Sequence, residues 1–170
     1  FELLDAEPEI RDRPEAIELG EVAGEVRFDH VGFSYSADGE ILHDISFVAR
    51  PGEMVALVGH SGGGKTTLGK LIPRFYDPDQ GSVTLDGRDL RDIKLRSLRS
   101  RIGVVFQETF LVGGTLRDNV LYGNPGATEA EMIAAARASH VHDFAAGLPE
   151  GYHTEIGERG VRLSGGQRQR

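Results

Sequence analysis

A chain of 170 residues with 39% apolar and 27% charged residues has the composition of an ordinary globular domain able to bury a core, which excludes fibrous and disordered classes. Its formal net charge of -8 repels nucleic acid and anionic lipid over the surface as a whole, so any chemistry on phosphate must come from a local site. The absence of cysteine excludes disulfides and thiolate metal centres, and no run approaches the roughly 18 consecutive apolar residues of a membrane span.

The chain opens at Phe1 rather than Met and stops at Arg170 inside the helix-compatible run Gln167-Arg168-Gln169-Arg170, so both ends read as cut. Pro8 and Pro14 among Glu2, Asp5, Glu7, Glu9, Asp12, Glu15 and Glu18 predict a solvated acidic linker over 1–24, with Phe1, Leu3 and Leu4 as the end of a severed helix. From Val26 to Tyr35 polar and apolar residues alternate, placing Val31, Phe33 and Tyr35 on one face, and Ile41 to Val48 alternates similarly after a turn at Asp38-Gly39. An antiparallel opening is expected.

After the turn Pro51-Gly52-Glu53, the run Met54-Val55-Ala56-Leu57-Val58 has the pattern of a strand buried on both faces. A helix is expected from Thr66 to about Phe75, ended or kinked by Pro73, followed by strands over Gly81 to Leu85 and Ile102 to Phe106 with a turn at Asp86-Gly87. Beyond Glu108 the pattern becomes helical. Thr128 and Glu131 form a capping box ahead of Met132, Ile133, Ala136, Val141 and Phe144, and Gly147 and Pro149 stop that helix. The division expected is a β portion with a core at 25–108 and a helical part at 109–170.

Gly59-His60-Ser61-Gly62-Gly63-Gly64-Lys65-Thr66 satisfies GxxxxGK[ST] between an apolar run and a helix, as a phosphate-binding loop requires. Glycines let successive backbone N–H groups curl around a β-phosphate and the helix start adds its positive dipole end. Lys65 then reaches the β and γ oxygens, and the Thr66 hydroxyl ligates Mg²⁺, with Thr67 next in line. The same five residues Gly59 to Gly63 also fit the GxSxG elbow of serine hydrolases, with Asp143 and His153 as possible partners of Ser61. An elbow gives no reason for Gly64-Lys65-Thr66, whereas phosphate and magnesium require an ammonium and a hydroxyl there.

Leu163-Ser164-Gly165-Gly166-Gln167 taken alone is a polar helix start with Ser164 as N-cap. Following a phosphate loop, it makes the chain from about Glu25 to Arg170 resemble the ATP-binding-cassette (ABC) ATPases, whose signature is LSGGQ. The resemblance implies an α/β P-loop NTPase core of ABC type with an antiparallel β portion and a helical subdomain. It implies that ATP binds between the loop 59–67 of one domain and the signature of a second nucleotide-binding domain. Tyr35 resembles the family's adenine-stacking aromatic, and a sheet-packing aromatic is the plainer alternative. Gln107 is similar to the glutamine that reaches Mg²⁺ and the attacking water, so Gln107 and Lys65 are the catalytic candidates.

Thr154, Glu155, Gly157, Glu158 and Arg159 resemble the loop that meets coupling helices of a transmembrane domain in exporters. The opening Phe1 to Asp5 resembles the junction behind a last membrane helix. The resemblance therefore implies an ATP-driven exporter acting at the cytoplasmic face of a membrane, with a soluble ABC ATPase as the alternative. Gly63 departs from the Ser or Ala of many relatives. The Walker B strand, D-loop and switch histidine would follow the signature and are absent from this sequence, since Val83-Thr84-Leu85-Asp86 precedes the signature and is followed by glycine. His140 and His142, two apart in an expected helix, point to different faces and do not share a metal.

Overall fold

The computed structural model describes residues 8–36, 39–107, 110–157 and 162–169. These fall into two units, one ending at Gly103 and the other beginning at Val104, each described by itself.

In the first unit, strands β1 (Val26–Phe33), β2 (Leu42–Ala49), β3 (Gln80–Leu85) and β4 (Arg88–Asp89) form a sheet in the order β2-β1-β3-β4, every pair antiparallel. Alternation in β1 is interrupted: Phe28 is buried, Asp29 and His30 are exposed, and Val31 and Phe33 are buried again. A bulge explains the skipped step, because His30 takes a left-handed φ of 48° and the register with β2 shifts between Phe28 and Val31. Facing it, Gly81 brings its backbone against the carbonyls of Asp29 and His30, where a Cβ would collide. The turn residue Asp38 lies outside the described residues, and Tyr35 lies beyond the end of β1.

Helix α1 (Lys65–Leu71) ends just before Pro73, as expected, and turns Leu68 and Leu71 into the core formed by Phe28, Val31, Phe33, Leu42, Val83, Leu85, Leu90, Ile93 and Leu98. Phe28 and Phe47 stack across β1 and β2 at 4.6 Å. A short 3-10 turn (Leu90–Asp92) and α2 (Leu95–Arg99) close the unit.

Three expectations are corrected here. The run Met54 to Val58 is not a strand, and Met54 and Val58 are 97% and 89% exposed. Ile102 to Phe106 likewise joins no ladder, and Val105 is 84% exposed. An apolar run reports a need for burial, and among the described residues no segment lies alongside either one to supply the hydrogen bonds. The acidic linker, from Pro8 onward, is docked rather than solvated. Ala16 is buried, Leu19 and Val22 pack on the core, and Ile17 forms a parallel bridge with Ile93. Asp12 accepts the Leu95 N–H at 2.7 Å, Ser97 Oγ accepts the Leu19 N–H at 2.8 Å, and Asp86 accepts those of Ala23, Gly24 and Glu25 at 2.8 to 3.0 Å. Charged side chains dominate the composition of this stretch, but its backbone groups and few apolar residues decide where it lies.

The second unit is helical: α3 (Leu116–Leu121), α4 (Glu129–Ala138), α5 (Val141–Ala145), a 3-10 turn (Gly151–His153) and α6 (Gly165–Gln169). Thr128 and Glu131 form the expected capping box, and Thr115 with Asp118 forms another ahead of α3. The hydrogen bonds these carboxylates accept lower the pKa values of Asp118 and Glu131. The single helix expected through Phe144 is broken. Ser139 Oγ bonds the Ala135 carbonyl at 3.0 Å and His140 turns left-handed at φ 60°, which starts α5 in a new direction and buries Val141 and Ala145 beside Ala136, Ile156 and Leu163.

Arg74 ties the first unit together. Its side chain is 3% exposed and grips Asp77 through Nε at 2.7 Å and Nη2 at 3.0 Å, and Nη2 also donates to the Arg11 carbonyl at 3.2 Å. The backbone of Arg74 is left-handed, φ 52°. Arg74→Ala should lower unfolding stability by about 2 kcal/mol, from lost charge-assisted bonds less the partial exposure of Asp77. Arg74→Gly should lose about 1 kcal/mol less, because glycine relieves the left-handed backbone. Urea unfolding of the two variants checks both the loss and its order.

Candidate functional site

The loop 59–64 is irregular backbone between the unpaired run 54–58 and α1. Gly62 and Gly64 are left-handed, at φ 82° and 76°, and the Gly63 N–H donates to the His60 carbonyl at 3.2 Å, which curls the loop on itself. Gly64 is the N-cap of α1 without any side-chain cap, so the helix starts with backbone alone. A Cβ on Gly64 would fall on the Leu42 side chain and close on the Ile41 carbonyl, so the loop rests directly on β2.

Lys65 folds back over this loop, its Nζ donating to the carbonyls of Gly59 at 2.9 Å and His60 at 2.6 Å. An ammonium held by neutral carbonyls is under-compensated, and anionic oxygens would bind it more strongly. Ser61, Gly62, Gly63 and Thr66 are exposed, and Thr67 is buried. The Thr67 hydroxyl lies 3.2 Å from Tyr35 Oη, which brings the expected aromatic to the helix that carries Lys65 and Thr66. Tyr35 remains 44% exposed. Its ring meets Phe33 and Tyr76 nearly edge-on, and Lys70 Nζ sits over it at 5.4 Å.

Asp86, the aspartate of the Walker B lookalike, is engaged with the backbone of 23–25 and is a structural anchor. In the second unit, Gln107 is exposed at the end of the unpaired stretch 102–106. Leu163 is buried in the helical core, while Ser164, Gly165 and Gly166 are exposed. Ser164 and Gln167 cap each other: the Ser164 N–H donates to Gln167 Oε1 at 2.9 Å and the Gln167 N–H to Ser164 Oγ at 3.3 Å. The plain N-cap role of Ser164 is thus present, and the glycines stay uncovered.

Glu155 bridges Thr115 antiparallel, Thr154 accepts the Leu116 N–H at 3.0 Å, and Gly157 is left-handed at φ 73°. Glu158 and Arg159 lie outside the described residues. Asp143 bonds His140 at 3.0 Å and His142 bonds Tyr152 at 3.0 Å, so the two histidines are separately engaged. No group of carboxylates and histidines suited to a metal occurs among the described residues.

A glycine loop delivering a lysine and a threonine at the start of a helix, beside an antiparallel sheet and with a separate helical unit, defines a P-loop α/β protein. The chain belongs to the ABC transporter family, whose profile matches residues 42–170. All of it aligns, at 51% identity over 170 residues, with 28% of an ATP-dependent lipid A-core flippase of Syntrophus aciditrophicus. All of it also aligns, at 45% identity over 170 residues, with 20% of the heavy metal tolerance protein of Schizosaccharomyces pombe. Among solved structures, a bacterial Atm1-family ABC exporter with ATP bound matches 99% of the chain at 45% identity and a TM-score of 0.93, over 29% of its own length. The chain therefore spans less than a third of these relatives. The expected fold class holds, and family membership sets aside the serine hydrolase.

Sequence reading missed Thr67 as the partner of Tyr35, and with it Lys70 and Tyr76. Nothing in the sequence joins position 35 to 67, 70 and 76; the sheet and α1 do. At the loop itself, Gly63→Ala should cost under about 1 kcal/mol, since its φ is ordinary and only the His60 carbonyl must yield. Gly64→Ala should cost roughly 2 kcal/mol or more, from a left-handed backbone and the overlap with Leu42. Thermal unfolding of the two variants checks the contrast.

Proposed function

We propose that this chain binds ATP with Mg²⁺ through 59–67 and Tyr35, as the nucleotide-binding part of an ATP-driven exporter. The observation that carries the reading is Lys65, whose ammonium is parked on two loop carbonyls in a chain of net charge -8. Backbone N–H groups of the loop, with Lys65, would hold the β and γ phosphates, and Tyr35 offers its exposed ring to the adenine. Mg²⁺ takes oxygen ligands. The exposed Thr66 hydroxyl and the Gln107 side-chain carbonyl are donors of that kind, and the ion would supply charge neutralisation between the phosphates.

In this reading residues 1–24 link to a transmembrane domain, 25–108 form the β portion and phosphate loop, and 109–170 the helical part. Within the signature Leu163 to Gln167, Ser164 and Gly166 serve the γ-phosphate held by a second nucleotide-binding domain, the uncovered glycines letting backbone approach it, while Leu163 anchors the segment in the helical core. Thr154, Glu155, Gly157, Glu158 and Arg159 face coupling helices at the cytoplasmic side of a membrane. The bridge to Thr115 gives that loop a fixed base. Export rather than uptake is favoured by the relatives, one described as a flippase and one as an exporter. The flippase and the heavy metal tolerance protein are named for different cargoes while sharing this region, so cargo choice is assigned to other parts of the protein.

Lys65→Ala should abolish detectable ATP binding in calorimetry while leaving the melting temperature nearly unchanged, and Ser61 should stay unlabelled by a serine-reactive phosphonate. ATP affinity equal to that of the unsubstituted protein would contradict the assignment.

A further inference from the structure

Phe33, Tyr35 and Tyr76 form a triangle of rings. Tyr35 meets Phe33 at 4.9 Å and 90°, and Tyr76 at 5.1 Å and 82°; Phe33 and Tyr76 are 5.5 Å apart. Near-perpendicular contacts set the positive edge of one ring against the negative face of another, which favours one relative orientation. Phe33, 3% exposed, anchors the group in the core. The Lys70 ammonium lies over both tyrosines, 5.4 Å from the Tyr35 centroid and 6.0 Å from that of Tyr76, and Thr67 holds the Tyr35 hydroxyl. A ring fixed from so many sides has the confinement of a core residue, yet Tyr35 keeps 44% of its surface open.

We propose that Lys70 and Tyr76 are positioning residues for the nucleotide base, holding the Tyr35 ring in one orientation as a preformed stacking platform for a purine. The claim rests on the nucleotide-binding reading above and deepens it. Preorganisation removes the entropy of ordering Tyr35 at the moment of binding. The ammonium also draws π density towards itself, which lessens repulsion between the Tyr35 ring and an electron-rich purine. Neither effect acts on phosphates, which Lys65 serves.

The test uses the full-length protein that carries this chain, and measures dissociation constants for ATP, CTP and inorganic triphosphate. Lys70→Ala and Tyr76→Leu should each weaken ATP by about three- to tenfold, narrow the preference for ATP over CTP, and leave triphosphate unchanged. Lys70→Met, which keeps the stem, should fall between, and Tyr76→Phe should restore the unsubstituted value and stand in if Tyr76→Leu does not fold. Equal losses for ATP and triphosphate would show a general electrostatic or structural role and overturn the proposal, as would ATP affinity unchanged in both truncations. Failure of the unsubstituted protein to bind triphosphate strikes the phosphate-loop reading first and takes this one with it. Intact triphosphate binding without base dependence overturns the platform alone.

Discussion

The candidate site is closed by the contact between Lys65 and the carbonyls of Gly59 and His60. A flexible ammonium could lie anywhere in solvent. Here it closes a loop that has no side-chain cap and no regular hydrogen bonding of its own beyond the Gly63 to His60 turn. The loop keeps its shape because Gly64 sits flush on Leu42, and Leu42 is held by its pairing with Phe33 across β1 and β2. The sheet therefore shapes the loop, and the loop aims the lysine.

Downstream of that lysine, α1 performs two tasks with one short helix. Its buried side, Leu68 and Leu71, joins the core, and its other positions present Thr66 to solvent and Thr67 to Tyr35. Its end is fixed by Arg74, whose buried guanidinium reaches back to the carbonyl of Arg11 and whose own carbonyl accepts from Arg99 at 2.8 Å. The N-terminal segment is thus fastened both to the end of α1 and to the 86–97 stretch.

Much of this was legible in the sequence where local pattern and local chemistry agree. The glycines of GxxxxGK[ST] announce a loop ahead of a helix, and Thr128 with Glu131 fixes a helix start by two reciprocal hydrogen bonds, so both features can be read from a few adjacent residues. Met54 to Val58 and Ile102 to Phe106 misread as strands because a ladder depends on a neighbour that a linear pattern does not contain. The acidic N-terminal stretch misread as solvated because charge counts say nothing of backbone N–H groups that Asp12, Ser97 and Asp86 can satisfy. The helix through Phe144 broke at His140, whose left-handed backbone no periodicity announces. Position 35 was singled out in the sequence, but its contacts with Thr67, Lys70 and Tyr76 were not, since their meeting is a product of the fold.

The account stands or falls on where Lys65 goes when nucleotide arrives. The most direct measurement is an experimental structure of the protein with Mg²⁺ and a non-hydrolysable ATP analogue. The expected result is Lys65 Nζ released from the Gly59 and His60 carbonyls and bonded to phosphate oxygens, with the base stacked on Tyr35. A nucleotide bound elsewhere, with Lys65 still closed on its own loop, would contradict it.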